Sequence, residues 1–166
     1  MDPTNRHRSE DVEPEQDHPE VIALPPLIYL AGLVPGLILE WLLPLGVAFG
    51  IAWRLFGGAL MALSLGLAIW ADRTLLRAGT HVYPKLPAKV LVTHGPFRYS
   101  RNPIYLGLTG FYIGLSLVLG ALWPLLLLPW VLGAMHFGVI VREERYLERK
   151  FGQEYLEYKA RVRRWL

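Results

Sequence analysis

Two short runs in this 166-residue chain carry the side chains best suited to chemistry: Arg101-Asn102-Pro103-Ile104-Tyr105 and Arg142-Glu143-Glu144-Arg145. The first reads as a helix start. Asparagine is a good N-cap, and proline suits the first helical position, where an N–H would have no helical partner. The free backbone N–H groups of such a start can bind an anion such as an amino-acid carboxylate, and Arg101 adds positive charge. In the second run, Glu143 and Glu144 can accept hydrogen bonds from ribose hydroxyls or an ammonium group. The plain alternative is an ordinary capped helix flanked by interfacial charges that snorkel to the membrane surface.

The segment before the first run adds to it. Val90-Leu91-Val92 is a short extended apolar run, and Gly95-Pro96 marks a turn. The loop from Gly79 to Asn102 is long, and loops of that length are often functional. Its aromatics, with Tyr83, Phe97, Tyr99 and Tyr105, can line an adenine slot or face a sulfonium cation. They can equally form an interfacial aromatic belt. His81, His94 and His136 lack ligand-like spacing, and the chain has no cysteine, so no metal site is expected. There is no phosphate-binding glycine loop and no dinucleotide-type glycine fingerprint.

Four apolar segments must position these residues. They run over about 21–43, 53–72, 103–120 and 121–141, within a chain that is 53% hydrophobic. At about 1.5 Å per helical residue, each of the last two fits one crossing of a hydrocarbon core about 30 Å thick. Gly120 and Trp123-Pro124 supply the turn between them. Segments 73–102 and 142–166 are rich in lysine and arginine, which places both in the cytoplasm together with both termini. The last two helices then form a hairpin whose cytoplasmic ends bring Arg101–Tyr105 beside Glu143-Glu144. Gly107, Gly110 and Gly114 on one helix, and Gly58, Ala62 and Gly66 on another, read as close helix-packing faces. The first 20 residues carry seven acids and three prolines and read as a disordered tail. The expected fold is therefore all-α and polytopic, with about four membrane helices. A loop, the hairpin and a C-terminal helix form a cytoplasmic cofactor-binding region, and residues 21–166 make one domain.

These residues resemble the isoprenylcysteine carboxyl methyltransferase family and its phospholipid methyltransferase relatives. The family carries an Arg-His-Pro-x-Tyr element, an apolar hairpin and a Glu-Glu pair. Here the same order is Arg101-Asn102-Pro103-Ile104-Tyr105, the hairpin, and Glu143-Glu144. Leu91–Phe97 and the tail Phe151–Lys159, followed by Val162, also fit the pattern, so the resemblance covers roughly residues 75–165. It implies an S-adenosylmethionine site held by Lys89, Val90, Leu91, Val92, Phe97, Asn102, Pro103, Ile104, Tyr105 and Glu143. It also implies a lipophilic or lipid substrate arriving from the bilayer, with no nucleic acid involved, in a bacterial plasma membrane. The expected catalytic set is Arg101, Tyr105 and Glu144; Tyr105, Glu144 or His94 would take a proton from an amine, phenol or thiol acceptor.

Three positions depart from the family. Asn102 replaces the usual histidine. Lys89 stands where eukaryotic members have histidine. Val139, one turn before Glu143, stands where they place a substrate-binding arginine. The alternatives to a prenylcysteine-type enzyme are a phospholipid-type N-methyltransferase and a non-catalytic membrane scaffold.

Overall fold

The computed structural model describes residues 19–47, 49–80 and 87–165. All regular secondary structure among the described residues is helical, with no strand. Six α-helices follow in order: α1 (Pro25–Leu42), α2 (Ile51–Arg77), α3 (Pro103–Leu119), α4 (Leu122–Met135), α5 (Val141–Phe151) and α6 (Gln153–Arg161). A 3-10 turn over Gly95–Arg98 precedes α3, and a π-helical segment over His136–Ile140 joins α4 to α5. Most of the acidic N-terminal stretch, together with His81 and Tyr83, lies outside the described residues.

Three helices are long and apolar enough to cross a membrane: 25–42, 51–77 and the continuous run 122–151. The fourth apolar helix, α3, has 17 residues. The protein is a membrane protein whose large outward side chains, such as Trp41, Leu63, Trp130 and Phe137, are apolar and exposed.

Two helix pairs form the bundle, α2 along α3 and α1 along α4. Glycine sets the first pairing. A Cβ on Gly114 would lie 2.6 Å from the Gly57 carbonyl oxygen, and one on Gly107 would lie 2.8 Å from that of Ser64. The backbones therefore touch at positions where only glycine fits. On α2 the expectation needs correction. Gly58 and Gly66 have nothing within 4 Å, and Ala62 is exposed. The face that meets α3 is Gly57, Ser64 and Ala71, each seven residues after the last, close to two full helical turns.

The core between α1, α3 and α4 gathers Ile28, Tyr29, Tyr105, Tyr112, Val131, Met135, Val139 and Ile140. Its hydroxyls are satisfied inside. Tyr29 Oη lies 2.7 Å from Thr109 Oγ1, Tyr112 Oη donates to the Pro124 carbonyl at 2.8 Å, and Ser116 Oγ donates to the Tyr112 carbonyl at 2.8 Å. At the end of the bundle opposite the Glu-Glu pair, Gly120 takes φ 72° and stops α3. Glu40 then caps α4: its Oε2 accepts the Leu122 and Trp123 backbone N–H groups at 2.7 and 3.1 Å. A carboxylate there satisfies orphan donors and complements the helix dipole.

Candidate active site

The two ends of the α3–α4 hairpin meet. Tyr105 Oη donates to Glu143 Oε1 at 2.6 Å, and Arg101 Nη2 lies 3.2 Å from Glu144 Oε1. Between them and the loop before α3 is a cavity of about 160 Å³. Of the residues expected from the sequence, Val90, Leu91, Val92, Phe97, Arg101, Asn102, Pro103, Ile104, Tyr105, Glu143 and Glu144 all line it. Lys89 does not. Its side chain is exposed, and only its backbone is tied in, the N–H donating to Thr80 Oγ1 at 3.2 Å. His94 and Tyr99 are exposed and contribute nothing to the lining.

Local sequence explains the placement. The π-helical segment takes in an extra residue just before Glu143 and Glu144, and each residue turns a helix by about 100°. It thereby sets which face of α5 carries the carboxylates toward α3. The Gly138 carbonyl in this segment accepts the Ile22 N–H at 3.1 Å, so the N-terminal segment is pinned against it. Pro103 occupies the first turn of α3, as its fixed φ favours. Asn102 sits at the N-cap position but makes no side-chain cap. Its Nδ2 instead donates to the Arg164 carbonyl at 3.0 Å, and its backbone N–H is satisfied by Ser100 Oγ at 3.1 Å. The side-chain cap expected from sequence is thus replaced by a contact to the C-terminal segment. This leaves the first N–H groups of α3 without side-chain cover from Asn102.

The two carboxylates have different surroundings. Glu144 is 5% exposed and accepts a forked pair from Arg164, Nε to Oε1 at 2.9 Å and Nη2 to Oε2 at 2.6 Å. Arg101 is its second cation. Glu143 has Tyr105 but no cation among the described residues. Arg101 is itself only partly used. Its side chain is 8% exposed, and Nε and Nη1 are buried with no partner among the described residues. Unpartnered buried donors on a charged group are costly.

Three tyrosines that the residue-by-residue reading did not single out hold the site together. Tyr146 Oη accepts the Ala88 N–H at 3.0 Å, and Tyr158 Oη donates to the Phe97 carbonyl at 2.7 Å. Tyr155 is 1% exposed beneath them. Burial pushes the Tyr158 hydroxyl up to about 12 against the pull of Arg101. Burial, then the Glu144 charge, raises Tyr155 still further. Both phenols therefore stay neutral, and Tyr158 serves as a neutral donor. The available signal was the Tyr155/Tyr158 spacing, which puts both rings on one face of a short helix.

Comparison with known proteins shows the family of the chain. The chain is 48% identical over 64 residues to an uncharacterized protein of Haemophilus influenzae, covering 33% of this chain and 98% of that one. It is 40% identical over 73 residues to the protein-S-isoprenylcysteine O-methyltransferase of Saccharomyces cerevisiae, covering 44% of this chain and 30% of the yeast protein. The corresponding figures for the Schizosaccharomyces pombe protein of the same name are 36% over 73 residues, 44% and 31%. The matched region thus spans about a third of each fungal relative. No solved structure matches the chain. The phospholipid methyltransferase family model matches residues 53–154, from the start of α2 through both halves of the site to α6, and the chain belongs to that family.

Proposed function

We propose that this membrane methyltransferase moves a methyl group from S-adenosylmethionine to a lipophilic acceptor at the cytoplasmic face. The observation that carries the reading is a pair of complementary vacancies in one cavity. Among the described residues, Arg101 offers two buried donors with no partner, and Glu143 offers a carboxylate with no cation. Together they match the carboxylate and ammonium of an amino-acid zwitterion, and the start of α3 adds N–H groups for the same carboxylate. Phe97 and Leu91 supply flat and apolar surface for the adenine.

When bound, the cofactor supplies an already electrophilic methyl group on sulfonium. The protein's task is alignment and exclusion of water. Apolar Leu75, Val92, Ile104 and Leu147 do the excluding. Tyr105 is committed to Glu143 and Glu144 to two guanidinium groups, while His94 is exposed. No dedicated base remains among the described residues, which suits an acceptor that arrives with a free lone pair. In this reading Tyr105 orients Glu143, and Glu144 is the counter-ion of Arg101.

The same reading makes α3 a fourth crossing, with both termini and the site on the cytoplasmic side of a bacterial plasma membrane. Calorimetry of the purified protein with S-adenosylhomocysteine tests the cofactor assignment, and transfer of labelled methyl into a lipid extract tests the reaction. A protein that binds nothing and transfers nothing would be the scaffold.

A further inference from the structure

The segment after α6 is tied to the site by several hydrogen bonds. The Arg101 N–H donates to the Arg163 carbonyl at 3.0 Å. Ser100 Oγ and Asn102 Nδ2 both donate to the Arg164 carbonyl, at 3.3 and 3.0 Å. Trp165 packs against the core between α1, α3 and α4. Three consecutive residues at the mouth of α3 thus clasp two consecutive carbonyls of the tail. The Arg164 side chain then crosses to α5, forks onto Glu144 and lies 3.4 Å from His136 Nε2.

We infer that Arg164 is a positioning residue: by neutralising Glu144 it leaves two donors of Arg101, a residue that lines the cavity, uncommitted to Glu144 and available to a ligand. The inference rests on the cavity being the cofactor site. Its physical basis is competition for one carboxylate. Glu144 is buried, and a buried charge must be paired. A forked guanidinium on both oxygens is the strongest such pairing. Arg164 occupies that geometry, so Arg101 touches Glu144 through Nη2 alone. Without Arg164, the cation left beside Glu144 is Arg101, which would fork onto it by committing a nitrogen that now has no partner among the described residues. The tail would then act on the ligand without touching it.

The test measures S-adenosylhomocysteine affinity by calorimetry on the full-length protein in detergent, with melting curves as a folding control. Arg164→Ala is expected to weaken binding by 10-fold or more. Adding Glu144→Gln to Arg164→Ala is expected to restore affinity to within about threefold of wild type, because a neutral amide no longer requires Arg101. Arg164→Lys, which keeps the charge without the fork, should fall between. Wild-type affinity in Arg164→Ala would overturn the inference, as would a double variant no better than the single. If Arg164→Ala does not fold, the double variant decides: it should fold and bind, and failure to bind sinks the idea. Absence of binding by the wild type would instead remove the cofactor reading, and this inference with it.

Discussion

Tyr105 and Glu143 are 38 residues apart in sequence and joined by a 2.6 Å hydrogen bond across the mouth of the α3–α4 hairpin. The bond exists because the chain turns back after α3, so that the start of α3 and the start of α5 come to the same level. Tyr105 lies in the first turn of α3 and Glu143 near the start of α5. The hydroxyl fixes one carboxylate oxygen of a side chain that lines the cavity.

In the proposed reading, Glu143 holds the ammonium of the cofactor. Glu143→Ala should lower S-adenosylhomocysteine affinity roughly 10-fold to 150-fold, the loss of about 1.5–3 kcal/mol expected for a charge-assisted hydrogen bond. Tyr105→Phe removes only the orienting bond and should cost less. Calorimetry ranking Tyr105→Phe above Glu143→Ala in damage would reverse the assignment of the two roles.

Much of this site was legible in the sequence because its parts are local signals linked by one topological step. Asn102-Pro103 marks a helix start and Gly120 a helix stop, and the Glu143-Glu144 pair follows one apolar crossing later. Counting crossings then brings the pieces together. Details of register and tertiary choice were not legible. Gly58, Ala62 and Gly66 have the same small-residue spacing as a packing face, yet α2 turns Gly57 and Ser64 inward. Spacing alone does not say which of two small-residue faces wins; the fit against the glycines of α3 decides. The N-cap role of Asn102 failed for a related reason. The carbonyl of Arg164, 62 residues away, captured the side chain. Nothing in the tail signals that contact, and the π-helical segment that turns α5 also lacks a proline or other local marker.

The helix faces give a paired stability prediction. Gly114→Ala places a Cβ 2.6 Å from the Gly57 carbonyl oxygen, and a backbone atom there has little room to yield. Overpacking of this kind costs about 1–3 kcal/mol. Gly58→Ala has nothing within 4 Å and should be neutral or mildly stabilising, since alanine favours helix over glycine by up to about 1 kcal/mol. Thermal unfolding in a fixed detergent compares the two. Equal effects would mean that the α2–α3 contact is misassigned.

Tyr158 predicts an alkaline limit on stability. Its hydroxyl is held up at about 12, against an ordinary value of 10.0, mainly by burial. A phenol raised in the folded state contributes fully below the unfolded value and loses that contribution as pH rises through the folded one. Stability should therefore fall between about pH 10 and pH 12. Tyr158→Phe should be less stable at neutral pH by about 0.5–1.5 kcal/mol for the lost bond to the Phe97 carbonyl. It should also show a shallower alkaline decline, with Tyr155 supplying what remains. Identical slopes for wild type and variant would place the alkaline sensitivity elsewhere.

The proposed orientation is checked by reporter fusions after Gly79 and after Leu166. Both should report the cytoplasm, because the basic segments 73–102 and 142–166 flank an even number of crossings. Opposite sides would require that α3, with 17 residues, lies along the interface. The cofactor cavity would then need a different relation to the bilayer.

The acceptor is the final question, and Val139 bears on it. A buried carboxylate substrate calls for a fixed cation, and arginine is the best forked partner. In the eukaryotic enzymes that the sequence resembles, the position one turn before Glu143 is that arginine. Here Val139 is fully buried in the core with Tyr29, Tyr105 and Ile140. Arg142 is exposed and donates to the Glu20 carbonyl at 2.8 Å, so it does not stand in. Arg101 is assigned to the cofactor. A carboxylate acceptor would therefore have no cation of its own, whereas an uncharged acceptor, an amine arriving unprotonated among them, needs none. Methyl transfer to a farnesylcysteine analogue should be at least roughly 10-fold slower than to the preferred component of a membrane lipid extract, the cost of one lost charge-assisted bond. The comparison uses labelled cofactor, with mass spectrometry to identify the product. Rapid turnover of the farnesylcysteine analogue that disappears in Arg142→Ala would show that Arg142 swings inward to serve as the substrate cation.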